Sequence, residues 1–544
     1  MKPIAYFSPE YAFDDLPIFA GGLGVLATDF LREAAESDLP YVAVGLYYRY
    51  GFSPVGEAKS EELDIKAAGW EEVKVDDEPL RLTVLISGDE VEFGAWSKSF
   101  GNVTVYLLDC NLPDNSKSQR ELTSFLYHED FEVKFKQNIL LGVGGVKLLE
   151  KLDITPELYH LNEGHTAFAS IALMAQHGAQ KPHATFEELQ EAVTAELVAT
   201  KHTVLSGAGM YISHNTFMDV FEDYLRDSAL HPEKVFALGQ DPLRKDEFTT
   251  TRLMLTMARK TNAVSKAHSF YEDKLHPDSD FYLPPITNGI NLRRWQHEDI
   301  GGAESLKDVW LAHSRLRSDL IEHINSETGS QLNPDALTVV WARRITAYKR
   351  PLEIFKSFDC LERILCNPTQ PIQIVIAGKP NIEDEVGVDM ARQIGENALN
   401  PRFDGRIAYL QQYDLALAQK LVKGADVWLN TPEKGYEASG TSGMKAGANG
   451  VLQCSVSDGW VDEVEGAASV GWVLPEINTS DTIYGYLEHE IAPLFYEVDE
   501  EGVPSQWLKH MKAAIDLISR DFTTARMLEE YRQQLYYLGD GEDK

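Results

Sequence analysis

Residues 437–445 read EASGTSGMK. An apolar stretch, 426–430, precedes them and predicts a buried strand; a helix-forming run is predicted from about Met444. Three small hydroxyl residues and two glycines therefore sit where a strand hands over to a helix. Such a turn offers backbone N–H groups and a helix N-terminus, where an anion binds at little cost. Glu437 heads the loop and Lys445 closes it, among neighbours that look buried. A lysine is rarely fully buried unless it is paired or chemically used. Lys445 thus suits a phosphate, or a cofactor held as a Schiff base. The same spacing also fits an ordinary glycine-rich turn with a snorkelling lysine.

A second cluster follows another strand candidate, 337–341. Arg343, Arg344, Lys349 and Arg350 place four cations in eight residues, just past that strand's C-terminal end. Arginines and a lysine on such a turn suit a phosphate or other dianion, although a solvated basic helix start would look alike. The local reversal of sign is informative because the chain carries 85 acidic against 50 basic residues, a net charge of −35. So acidic a chain is a poor candidate for nonspecific binding to nucleic acid or an anionic membrane. Any anion site must then be local. Two such sites on one sheet point to two phosphate groups held near each other.

The elements that must position these residues are α/β. Strand candidates at 4–7 and 41–48 flank a helix predicted over about 23–36, which Gly21, Gly22 and Gly24 introduce. Period-two alternation over about 72–109 predicts antiparallel hairpins. The GVGG of the run at about 135–152 has helical spacing on both sides and reads as helix packing. A short strand ends in 162–165 (NEGH) ahead of a helix, the place where open α/β sheets put ligands; an N-cap beside a satisfied histidine fits equally. His202 sits at a turn after 199–204. The proline and glycine cluster at 284–291 is a candidate hinge. After a helix at about 304–325, strands at 337–341, 372–377, 407–410, 427–429 and 451–454 alternate with helices, which implies a parallel sheet. The tail, about 504–538, is helical by period and predicted to pack back onto the first domain.

The 544 residues suffice for two or more domains. Cysteines at 110, 360, 366 and 454 have no zinc spacing and read as reduced thiols. No signal peptide is read at the start, and no apolar run approaches membrane-spanning length. A cytoplasmic protein is expected.

Taken together and in order, the AGGLG turn, NEGH, ITNGINLRRW, RRxxxYKR and EASGTSGMK resemble the α-glucan phosphorylases, the glycogen, starch and maltodextrin phosphorylases that carry pyridoxal phosphate. The resemblance covers about residues 4–465. It is to the compact bacterial type, without the long N-terminal regulatory extension, so an allosteric site of the animal kind is not expected. It implies two Rossmann-like domains facing a central cleft, the GT-B type glycosyltransferase architecture, with a C-terminal helix returning to the first domain. The expected bounds are 1–300 for the glucan side, 301–510 for the cofactor and phosphate side, and 511–544 for the tail.

By resemblance, Lys445 matches the lysine that holds pyridoxal phosphate as a Schiff base. Thr441 and Ser442 match the turn that holds the cofactor's 5′-phosphate, and Arg343 matches a lysine near it. Tyr413 and Trp295 match contacts around the cofactor. Arg344 and Lys349 match the cations that hold the substrate phosphate, with the N–H of Gly22. Glu437, Ala438, Ser439, Gly440, Asn288 and His202 match the glucosyl pocket, with Tyr348 at its edge. Arg344, Lys349 and Lys445 are the expected catalytic set. No metal or nucleic acid is expected, and family members are commonly homodimers. The implied reaction is attack of inorganic phosphate on the non-reducing terminal glucosyl unit of an α-1,4-glucan, giving α-glucose 1-phosphate with retention. The cofactor phosphate relays the proton, and cations stabilise an oxocarbenium-like state. The carboxylate pair of most glycosidases is then not needed.

The chain departs from the larger enzymes at several positions. Ala12 stands for a tyrosine over the cofactor ring, Thr346 and Ala347 for a His-Glu pair, and Gly443 for an asparagine. Asp414 stands for an arginine beside Tyr413. Alternatives to a phosphorylase are a nucleotide-sugar glucosyltransferase of the glycogen or starch synthase kind, which has no use for a buried lysine at 445, and a glucan-binding protein without catalysis.

Overall fold

The computed structural model describes residues 2–52, 62–128, 130–204, 210–275, 281–381, 384–466 and 469–537. It is a mixed α/β structure with two parallel sheets. In the first, six parallel strands run in the order Lys260–Asn262, Leu197–Thr200, Leu158–Asn162, Ile4–Phe7, Tyr41–Leu46 and Val103–Asp109. Apart from Lys260–Asn262, their largely apolar runs are those of strands covered on both faces. The alternating segment forms the predicted hairpins: Asp89–Phe100 pairs antiparallel with both Val103–Asp109 and Leu82–Ile86. The GVGG run is buried helix, as its spacing predicts.

The second sheet has six parallel strands, ordered Ile407–Leu410, Ile372–Ala377, Leu337–Ala342, Val427–Asn430, Leu452–Val456 and Gly471–Leu474. Five of them coincide with the sequence candidates. The sixth is a half-exposed edge strand with too short an apolar run to stand out.

In both sheets the strand order reverses beside the first strand. In the first sheet the reversal lies between Ile4–Phe7 and Leu158–Asn162; in the second it lies between Leu337–Ala342 and Val427–Asn430. Connections leave such a point in opposite directions, which opens a crevice at the strands' carboxyl ends where α/β proteins bind ligands. The segments that leave these four ends contain Gly22, residues 162–165, the 343–350 cations and the 437–445 loop.

The tail couples the two cores. Helix Ser505–Asp521 buries Trp507, Leu508, Met511 and Ala514 against the second sheet's core. The chain then breaks, and Thr523 bridges to Ile290. A Cβ on Gly289 would lie 2.2 Å from the Thr523 carbonyl oxygen, so only glycine admits this approach. Beyond it, Met527, Leu528, Tyr531 and Tyr536 join the first sheet's core. Tyr536 OH lies 2.8 Å from His160 Nδ1. The predicted return is thus made by Thr524–Glu530 and the turn after it. The final tail residues, 538–544, lie outside the described ones.

Candidate active site

The 437–445 loop is held from below. Asp458, just past Leu452–Val456, accepts from the N–H groups of Gly435 (2.9 Å) and Glu437 (3.0 Å) through Oδ2 and from Gly459 N–H (2.8 Å) through Oδ1. Its burial pushes the carboxyl up to about 6. Gly440 at φ 80° turns the chain into the helix Thr441–Gly447. The helix starts three residues before the expected Met444, because this left-handed turn, not the apolar run, sets its first residue.

Lys445 is buried on that helix. Its Nζ lies 3.4 Å from Thr441 Oγ1, its one hydrogen bond among the described residues, and 4.3 Å from the Trp295 ring centroid. A desolvated cation over an indole is stabilised by about 2 kcal/mol. Burial nevertheless brings the ammonium down to about 8, with Asp29 opposing and Arg294 reinforcing the shift. Trp295 is fixed in turn: its Nε1 donates to Asp29 Oδ2 at 2.7 Å, and Arg294 Nη1 donates to Asp29 Oδ1 at 2.9 Å. Lys445, Trp295 and Thr441 are therefore in mutual register.

The cation cluster comes together around Glu437. Arg343 Nη1 donates to Glu437 Oε2 at 2.7 Å, and Lys349 Nζ lies 3.1 Å from the same oxygen. Burial alone would raise the Glu437 carboxyl, but Lys349 and Arg343 hold it at about 2. Arg343 Nη2 reaches Ser442 Oγ at 3.4 Å, and its buried Nε has no partner among the described residues. Tyr348 stacks on Tyr436 at 6.1 Å. Tyr413 lies near Arg343, its hydroxyl raised to about 12 by burial. The cations do not open a helix as a basic helix start would. A 3-10 turn, Ala347–Lys349, ends at Arg350 with φ 46°, just before Pro351, which disfavours a continued helix.

Arg344 stands apart. It is exposed, with no hydrogen bond among the described residues. Burial raises the carboxyl of Glu10 on the first sheet's side, against the hydrogen bonds it accepts and, least of these, the charge of Arg344. Glu10 accepts from Ala20 N–H (2.5 Å), next to Gly21 and Gly22, and from Tyr127 OH (3.2 Å). Gly22 begins the helix Gly22–Glu36, which has no side-chain cap; a Cβ there would meet nothing within 4 Å. The glycine leaves the amide approachable from outside.

His202 is tied to the NEGH segment. Asn162 Nδ2 donates to Ser8 Oγ, which leaves Oδ1 to accept from His202 Nε2 at 2.6 Å. Nε2 thus carries the proton, and burial keeps the ring neutral, with a pKa near 4. Asn288 is buried, its Oδ1 without a partner among the described residues, while its carbonyl accepts from Arg526 of the tail at 3.1 Å. Ala438 O accepts from Ser265 Oγ at 2.5 Å, and buried Ser439 Oγ has no partner among the described residues. Among the described residues, no hydrogen bond or ion pair joins His202, Asn288 or Gly22 directly to the Arg343, Lys349 and Lys445 group.

Two departures gain a physical reason. Asp414 accepts from Leu417 N–H at 2.8 Å and caps the helix Leu415–Gly424, so its carboxylate serves the fold. A Cβ on Gly443 would lie 2.6 Å from Gln453 Oε1 and 3.2 Å from the Trp460 ring; those side chains fill the space an asparagine needs. Glu10, Asp29 and Asp458 carry no signal in the sequence, and Glu163 is marked only as part of the 162–165 segment, with no role of its own. Each follows a strand or faces a helix without a distinctive neighbour, and only the long-range contacts reveal them.

A lysine over an indole at one sheet's reversal point, beside a cation cluster, defines a site suited to phosphate-bearing ligands. Residues 291–544 match the family model for carbohydrate phosphorylase. Glycogen phosphorylase of Aquifex aeolicus is 34% identical, over 98% of this chain and 86% of that protein. Maltodextrin phosphorylase of Thermococcus litoralis is 32% identical, over 98% of this chain and 70% of its own. An uncharacterized Methanocaldococcus jannaschii protein is 29% identical over 98% of this chain and 100% of its own length. The chain belongs to the carbohydrate phosphorylase family.

Proposed function

We propose that the chain is an α-glucan phosphorylase. In this reading, inorganic phosphate attacks the non-reducing terminal glucosyl unit of an α-1,4-glucan and releases α-glucose 1-phosphate with retention. The observation that carries it is Lys445, buried beside Trp295 and one loop away from Arg343 and Lys349. Chain-long likeness to proteins named glycogen and maltodextrin phosphorylase supports it.

The residues present fit pyridoxal 5′-phosphate. A buried lysine with a depressed pKa is a competent amine nucleophile, and the unpartnered Arg343 Nε is a donor available to a phosphate. Bound there, the cofactor supplies a phosphate that relays a proton to and from the substrate phosphate. Lys445 tethers it, Trp295 fixes the lysine, Thr441, Ser442 and Arg343 hold its phosphate, and Tyr413 lies alongside. Arg344 and Lys349, with the Gly22 N–H, bind the substrate phosphate and stabilise charge developing on it. His202, Asn288, Tyr348 and residues 437–440 hold the glucosyl unit. Glu437 does double duty, as partner of the cations and as acceptor for a sugar hydroxyl.

The same reading has two Rossmann-like domains, 1–300 and 301–510, facing a central cleft, with a returning tail from 511. The hydrogen bond from Ser265 Oγ to Ala438 O supports that facing. The test mixes protein, pyridoxal phosphate, maltoheptaose and phosphate. Glucose 1-phosphate is expected; maltodextrin binding without product sinks the enzyme reading in favour of a glucan-binding protein.

A further inference from the structure

Glu163 has φ 80° and ψ 158°. That region is essentially reserved for glycine, and non-glycine residues persist in it only where the surroundings over-determine them. Here they do. Glu163 N–H donates to Thr200 O at 3.0 Å, and its carbonyl accepts from Thr166 Oγ1 at 2.8 Å. The following residue is jammed against a helix, since a Cβ on Gly164 would lie 3.0 Å from Thr251 N. The unfavourable backbone aims the buried carboxylate at the neighbouring strand end. Oε2 accepts from His202 N–H at 2.9 Å and from Thr203 Oγ1 at 3.2 Å, while Oε1 takes Gly164 N–H at 3.1 Å. The adjacent Asn162 holds the His202 imidazole itself. Consecutive residues of one strand end thus clamp the main chain and the ring of one histidine.

We propose that Glu163 is a positioning residue for His202: its strained backbone and carboxylate together fix the 202–203 main chain so that the imidazole stays on Asn162 with Nδ1 as the free acceptor. The proposal rests on the reading of His202 as a sugar contact. A glycine at 163 removes both features at once, since it takes φ 80° without strain and has no carboxylate. Strain relief and loss of the clamp then act in opposite directions, which separates positioning from plain stability.

The test compares wild type, Glu163→Gly and Glu163→Gln as full chains loaded with pyridoxal phosphate. Glu163→Gly is expected to melt at or above wild type, to lose at least thirtyfold in kcat/KM for maltodextrin, and to keep its KM for phosphate within threefold. Glu163→Gln keeps the size of the side chain and carries the same test should the glycine variant not fold; about tenfold is expected. The ¹⁵N signals of the His202 imidazole give a readout independent of turnover: a single Nε2–H tautomer in wild type, mixed tautomers in the variants. A folded variant with kcat/KM within threefold of wild type, or with equal losses toward glucan and phosphate, overturns the proposal. So does an unchanged tautomer. If wild type forms no glucose 1-phosphate, the phosphorylase reading fails, and the imidazole signals alone decide whether Glu163 holds His202.

Discussion

The reversal points of the two sheets have the same topology and opposite chemistry. At the first, the side chains that converge are Glu10, Asn162, Glu163 and the neutral His202, with backbone N–H groups beside Gly22. At the second they are Arg343, Lys349 and Lys445, with Glu437 between the first two. A neutral imidazole and amide acceptors suit sugar hydroxyls; cations suit phosphates. A glycosyl phosphate contains both, so the difference between the points mirrors the two ends of the bond the enzyme is proposed to form. The sheets do not determine this. The residues just beyond four strand ends do, which is why one architecture can serve many reactions.

The comparison predicts separable losses. Arg344→Ala should lower the phosphate-dependent rate by about 10²–10³-fold, with maltodextrin binding within twofold by calorimetry; equal loss of both makes Arg344 structural. Glu437→Gln should destabilise the fold by about 2 kcal/mol at neutral pH, since a charged hydrogen-bond partner is lost. The folded-state pKa of Glu437 lies below its ordinary value, so this stabilisation is present above the usual carboxylate range and is lost as pH falls toward 2. Melting curves of the two proteins should therefore converge in acid, and a gap independent of pH contradicts the ion-pair account. His202→Ala should act on the other side, with a loss of about thirtyfold or more in kcat/KM for glucan, no smaller than that of Glu163→Gly, and an unchanged KM for phosphate. The smallest effect belongs to Asp414→Ala: about 1 kcal/mol of stability from the lost cap, with the cofactor spectrum unaltered. A shifted spectrum would mean that Asp414 acts on the cofactor after all.

Much of the framework is legible in the sequence because parallel strands buried on both faces leave apolar runs that periodicity detects. The four internal strands of the second sheet and the buried edge strand Ile407–Leu410 are of this kind, whereas the other edge strand, Gly471–Leu474, escapes because half of it faces solvent. The helix start at Thr441 escapes because a positive φ at Gly440 sets it. In the site, Lys445, Arg343 and Glu437 stand out by type, since charged residues in apolar surroundings are conspicuous. Glu163, Asp29 and Asp458 do not: acidic residues are common in this chain, and their importance lies in partners distant in sequence, such as His202 for Glu163 and Trp295 for Asp29.

The most direct test of the account loads the purified chain with pyridoxal phosphate, reduces it with borohydride and maps the labelled peptide. The account predicts a pyridoxyl group on Lys445, absent from Lys445→Ala. No label, or label spread over surface lysines and unchanged in that variant, would contradict it.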